Sequence, residues 1–192
     1  MKENTVWVLK LAHEKEHLVL AVIVVALGVL FYVVKKPESP TSATANYKNA
    51  TYVIEGQPVT LTNGISKVPA APGSASEVTT TYFGNEATGD LNGDGVPDVA
   101  FILTQNGGGS GTFYYVVAAL KIAGGYQGTN AILLGDRIAP QTTEIRNGQL
   151  TVNYADRKPS DSMTTQPSVG VSKYLAVQKD GTLTETTPVF TQ

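Results

Sequence analysis

Residues 98–121 read DVAFILTQNGGGSGTFYYVVAALK, and the fold turns on this stretch. It holds two nearly unbroken apolar runs, DVAFILT (98–104) and TFYYVVAALK (112–121), parted by a glycine-rich loop. Side chains of a strand point alternately to two faces, so a strand apolar throughout is one with both faces covered. Both runs therefore belong in the middle of a sheet.

Working outward, three turn signals divide the flanking sequence. VTLT (59–62) and ISKV (65–68) bracket Asn63-Gly64, TTEIR (142–146) and QLTVNY (149–154) bracket Asn147-Gly148, and YLAVQK (174–179) and TLTET (182–186) bracket Asp180-Gly181. Asn-Gly and Asp-Gly accept the positive φ of a type I′ turn, so each is expected to close a hairpin. TYVIE (51–55) and TTTYF (79–83) are further strand-like runs, and no 12-residue window after residue 34 has helical spacing. No segment repeats at a fixed period. The expectation is a mainly β domain over 50–192, a small antiparallel β-sandwich or a strongly curved sheet. About 140 residues can bury a core without disulfides.

The N-terminal part has another texture. Leu18 to Val34 reads LVLAVIVVALGVLFYVV, 17 residues without a charge. At about 1.5 Å per residue it reaches roughly 25 Å, the short end of a membrane span. Glu14, Lys15 and Glu16 precede it, and Lys35 and Lys36 follow. The sequence thus predicts a transmembrane helix at 18–34, a cytoplasmic segment at 1–17 and a proline-containing linker at 35–49. Ala43-Thr44-Ala45 resembles a cleavage site, but the length of the apolar run favours a retained anchor. Residues 50–192 are then extracytoplasmic.

Charged residues make up 16% of the 192-residue chain against roughly a quarter in average proteins, and the net charge is -2. That balance excludes a general electrostatic nucleic-acid binder. The chain has no cysteine, which removes disulfides, thiol catalysis and cysteine-ligated metals.

The sharpest motif is GDLNGDGVPD (89–98). Oxygen-bearing side chains fall at alternate positions, Asp90, Asn92, Asp94 and Asp98, while Val96 offers a backbone carbonyl and Gly95 permits a sharp reversal. Ca²⁺ takes six to eight hard oxygens, which such a loop supplies. An EF-hand also wants a glutamate at its twelfth position, which is Phe101 here. A helix–loop–helix hand is therefore not expected. Over 83–102 the loop resembles the calcium loops of FG-GAP and VCBS-type repeats, which lie between β-strands. The job expected of the ion is structural.

A wider likeness spans residues 46–183. The order GDLNGDGVPDVAFIL, GGGSGTFYYVVAAL, LGDRI, NGQLTVNY and PSVGVSKYLAV resembles an uncharacterised β-domain of bacterial lipoproteins and anchored envelope proteins. The resemblance implies an envelope location, β content and a calcium loop, and supplies no substrate. A cysteine pair often precedes the equivalent of Pro167 in that family; Thr164-Thr165-Gln166 stands here.

Other constellations carry less. His13-Glu14-Lys15-Glu16-His17 matches the zinc-protease pattern H-E-x-x-H, but no folded domain surrounds it. The loop GGGSGT (107–112) lacks the lysine and following helix of a phosphate loop, and no histidine stands in the outer domain to activate Ser110. Arg137, Arg146 and Arg157 could grip an anion, and Tyr114, Tyr115, Tyr126 and Tyr154 could line a sugar site, although surface pairing and packing are the commoner uses. No complete catalytic set is present. The leading expectation is a non-enzymatic binding or structural module of the envelope, tethered to the membrane through 18–34, with Ca²⁺ bound and an envelope protein or glycan as partner. The alternative is an envelope hydrolase using Asp136, Asp156 and the arginines; raised carboxylate pKa values in a shared cleft would mark it.

Overall fold

A computed structural model of the chain describes residues 46–189. The expected cytoplasmic segment, membrane span and H-E-x-x-H motif, and the linker up to residue 45, lie outside the described residues. Among the described residues no helix is long and apolar enough to cross a membrane.

The described part is mainly antiparallel β. A 3-10 turn (Tyr47–Asn49) is followed by β1 (Thr51–Ile54), β2 (Gln57–Thr60), β3 (Ile65–Pro69), β4 (Glu77–Gly89), β5 (Asp98–Asn106) and β6 (Phe113–Ile122). Then come β7 (Gly125–Gly128), β8 (Ile132–Asp136), β9 (Ala139–Arg146), β10 (Gln149–Asp156), β11 (Val169–Val177) and β12 (Leu183–Glu185). One sheet has the order β3-β4-β5-β6-β7, with β8 also on β6; a second has the order β12-β11-β10-β9; β1 and β2 form a hairpin.

The two apolar runs are the two central strands, β5 and β6, and alternation along them builds two cores. Ala100, Ile102, Val116, Ala118 and Leu120 face one way and join Leu150, Val152, Tyr154, Leu175 and Leu183 of the four-stranded sheet. Val99, Phe101, Leu103, Tyr115, Val117 and Ala119 face the other way and join Tyr52, Ile54 and Leu61. The central sheet is thus covered on both sides, as its composition requires.

Strand β4 is longer than its sequence signal because two register shifts, between Tyr82 and Gly84 and between Gly84 and Ala87, keep it pairing with β5 while bending it. The bend brings Asn85 to Thr143 of β9 at 3.0 Å. At the end of β4, a Cβ on Gly89 would lie 2.6 Å from the Ile145 side chain, so the strand meets β9 only as glycine. Gly128 is as constrained on the opposite face, where a Cβ would lie 2.2 Å from the Thr51 carbonyl oxygen. A side-chain amide finishes one sheet edge: Asn130 donates to the Leu183 carbonyl at 2.9 Å and accepts from the Leu183 amide at 2.7 Å.

The three expected hairpins fare differently. Asn147-Gly148 joins β9 and β10, with φ of 50° and 74°, and the pairing runs unbroken from Arg146–Gln149 to Thr142–Asn153 before a register shift. Asp180-Gly181 joins β11 and β12, but only Gly181 has a positive φ, 84°, and Gln178 pairs with Thr182 across a three-residue loop. That is a type I turn closed by a left-handed glycine rather than the expected type I′.

The first hairpin is a correction. Asn63-Gly64 does turn, at φ 53° and 82°, and Thr62 and Ile65 exchange both amide bonds. Beyond that pair the strands part, β2 to β1 and β3 to β4. Continuing the ladder would set Thr60 opposite Lys67 and then Pro58 opposite Pro69. Two prolines facing each other offer no N–H, so the hairpin has no bond to make there. The turn missed from sequence is Glu55-Gly56, at φ 50° and 78°, which closes β1 on β2.

Candidate functional site

The aspartate-rich loop connects β4 to β5. Leu91 plugs into the core at its start, and Asn92 to Pro97 are exposed. Asp90 accepts the Gly93 amide at 2.7 Å and the Gly95 amide at 2.8 Å; these bonds, Gly95 first, hold its carboxyl below the ordinary range. Asn92 accepts the Asp94 amide and donates to the Asp94 carboxylate, both at 3.0 Å. Asp94 also accepts the Val96 amide at 2.7 Å. Gly93 and Gly95, both at φ 80°, turn their amides inward to reach these acceptors.

Asp98 stands apart. It is fully buried, and its two oxygens take the Leu91 amide at 2.9 Å and the Lys121 amide at 2.8 Å. Asp98, position 9 of the loop, therefore ties Leu91, the loop's second residue, to the start of β5 and the end of β6; the sequence also assigns it to the metal. Among the described residues no three His, Cys, Asp or Glu side chains come together as a metal cluster. The other donors that the sequence assigns to a hard cation are the side chains of Asp90, Asn92 and Asp94 with the Val96 carbonyl.

The arginines do not form one cluster. Arg146 pairs with Glu144 at 3.0 Å on the surface of β9. Arg137 pairs with Asp136 at 2.9 Å, and Asp136 also accepts the Thr112 amide at 2.8 Å, which fixes the end of the glycine-rich loop. The Arg137 hydrogen bond comes first among the influences that hold the Asp136 carboxyl below its usual range. A general acid needs the opposite shift. Arg157 spends its guanidinium on main-chain carbonyls of Thr165, Asp136 and Arg137.

The tyrosines are likewise dispersed. Tyr114 and Tyr154 belong to the core beneath the four-stranded sheet, Tyr115 and Tyr126 to the other. Tyr115 donates to Glu55 at 2.8 Å. An unforeseen cluster binds the N-terminal turn: Tyr47 and Tyr82 both donate to Glu86, and Lys48 stacks 3.8 Å from the Tyr82 ring centre. The turn that the sequence placed in the linker is thereby part of the folded domain.

Burial, with help from Glu86, pushes the Tyr47 phenol up to about 12 from its ordinary 10.0, and burial also raises Tyr52, Tyr82 and Tyr115. A phenol that keeps its proton in the fold binds more protons folded than unfolded above pH 10, so stability falls with rising pH there. The contribution is intact below pH 10.0 and is lost as pH climbs through about 12. Urea midpoints should hold steady up to the ordinary phenol value and then drop in step with phenolate absorbance. A midpoint indifferent to phenolate formation would refute this.

A concavity of about 990 Å³ opens where β2 and β3 part. Ile54, Pro58, Val59, Val68 and Val78 line it with Lys67 and Gln105. Ile65 and Val68, also at this groove, are 46% and 48% exposed. Nothing in the sequence marked this groove, because it exists through the failure of a hairpin to close.

Comparisons with protein-family models, curated proteins and solved structures give no match to this chain.

Proposed function

We propose that the chain is a membrane-anchored, extracytoplasmic β-domain that acts as a binding or structural module of the cell envelope. In this reading the two packed sheets form a small sandwich, residues 18–34 are its transmembrane anchor, and its partner is an envelope protein or glycan. The observation that carries the binding role is the groove between β2 and β3, where exposed Ile65 and Val68 stand beside strand edges left unpaired. The hydrolase alternative lacks its marker, since Asp136 is shifted down.

The test combines topology and contact. A reporter fused after Gln192 should be active outside the cytoplasm, and a photo-crosslinker at Val68 should capture a partner from intact cells that one at Glu144, on the far sheet, does not. Cytoplasmic reporter activity, or equal capture at the two sites, would refute the proposal.

Ca²⁺ is the proposed occupant of the loop, held by Asp90, Asn92, Asp94 and the Val96 carbonyl. When bound it would neutralise two carboxylates on an exposed turn and add folding free energy by mass action. A chelator should lower the melting temperature of the purified protein, and excess Ca²⁺ should restore it. Asp94→Ala should imitate chelation. Identical melting curves with chelator and with Ca²⁺ would remove the ion from the account and leave a loop held by its own amides.

A further inference from the structure

The chain contains four Asn-Gly dipeptides, at 63–64, 92–93, 106–107 and 147–148. In such a pair the unhindered glycine nitrogen can attack the asparagine side-chain carbonyl carbon, if the backbone can bring the two together. The four sites differ in whether it can.

Asn63 and Asn147 sit at φ 53° and 50° in two-residue turns, each closed by a strand pair, Thr62 with Ile65 and Arg146 with Gln149. Swinging the glycine nitrogen onto the side chain would break that closing pair. The Gly64 amide is also held by the Lys48 carbonyl at 2.8 Å. At 92–93 the Gly93 amide is held by Asp90 at 2.7 Å, and Asn92 is bonded to Asp94. Two carboxylates there oppose both the deprotonated nitrogen and the oxyanion that attack creates.

Asn106 pairs with Thr79 and its Nδ2 donates to the Gly109 and Gly111 carbonyls, but among the described residues its glycine nitrogen is not held, and it sits in no two-residue turn. It ends β5 without a positive φ, and Gly107 to Ser110 are exposed. Among the described residues no acceptor is bonded to the Gly107 amide. The Asn106 Oδ1 already accepts the Gly108 amide at 2.8 Å. When the side-chain carbon becomes tetrahedral, negative charge grows on that same oxygen, and the Gly108 N–H stands ready as its donor.

We infer that Asn106 is a site of spontaneous deamidation and the fastest of the four to convert. The Gly107 nitrogen gives up its proton to solvent base and bonds to the Asn106 side-chain carbonyl carbon. The bond to Nδ2 breaks, and that nitrogen takes a proton and leaves as ammonia. The resulting cyclic imide takes up one water at either carbonyl, giving aspartate or isoaspartate. Either product replaces a donor with a carboxylate. The 2.9 Å bond from Asn106 Nδ2 to the Gly111 carbonyl is then lost, and the glycine-rich loop between the two central strands gains a negative charge.

The test is incubation of the full-length protein in mildly alkaline buffer, followed by peptide mass mapping and enzymatic detection of isoaspartate. Conversion at Asn106 should outrun that at Asn63, Asn92 and Asn147 several-fold. Gly107→Ala should slow conversion at Asn106 and leave the other sites unchanged. The added methyl group meets nothing within 4 Å, and Gly107 has no positive φ, so this variant keeps the fold. Faster conversion at any of the other three sites, no conversion at Asn106, or an unaltered rate in Gly107→Ala would each overturn the inference.

Discussion

Asp98→Ala should lower stability by about 3 kcal/mol, because a buried amide left without an acceptor costs roughly 1–3 kcal/mol, and this change orphans the buried Leu91 amide and the half-buried Lys121 amide. The side chain is fully buried, and the amides of Leu91 and Lys121 have its two oxygens as partners. Asp98→Asn should recover part of the loss, since one oxygen remains while an NH₂ group turns toward the second N–H. The urea midpoint should fall to the same extent with chelator as with Ca²⁺. If chelation abolished the difference between wild type and variant, Asp98 would be acting through a cation, and its assignment as the brace between loop and strands would be wrong.

Phe101→Ala should cost about 3–5 kcal/mol, the range for removing a large aromatic side chain from a core. Phe101 is fully buried, with the rings of Tyr82, Tyr47 and Tyr52 at 5.3, 5.4 and 5.5 Å, two of them tilted and the third edge-on. Those tyrosines are themselves tied: Tyr52 donates to the Tyr47 carbonyl at 2.7 Å, and Tyr47 and Tyr82 share Glu86. The hydrogen bonds hold the rings in place, so the cavity cannot easily collapse. Near-ultraviolet circular dichroism should lose tyrosine signal along with stability. A loss below about 1 kcal/mol would mean that the cluster closes over the gap and that Phe101 is not its centre.

The sequence was most readable where one physical demand set the residues. Double-sided burial writes itself as continuous apolar sequence, which is why β5 and β6 are legible as the middle of a covered sheet. The Asn147-Gly148 hairpin was found because its turn chemistry and both flanking strands agree. At Asn63-Gly64 the turn chemistry was right, but the pairing of β2 and β3 was decided by Pro58 and Pro69, several residues away. Strand β7, GYQG, has no apolar alternation; it is a strand because β6 lies beside it. The candidate loop was located from its spacing, yet spacing does not say which way a carboxylate points. Asp98 points into the protein because β5 begins there and the ends of two neighbouring segments need an acceptor. The tyrosine–glutamate cluster draws on residues 47, 82 and 86, whose association depends on the bend in β4 and left no local signal.

One sheet serving two cores has a consequence for how the domain comes apart. Neighbouring residues of β5 and β6 report to opposite layers, so neither layer can loosen without disturbing the strands on which the other is built. The domain should therefore melt as one cooperative unit, with damage on either side spread over both, and half-folded forms that keep a single layer should be scarce.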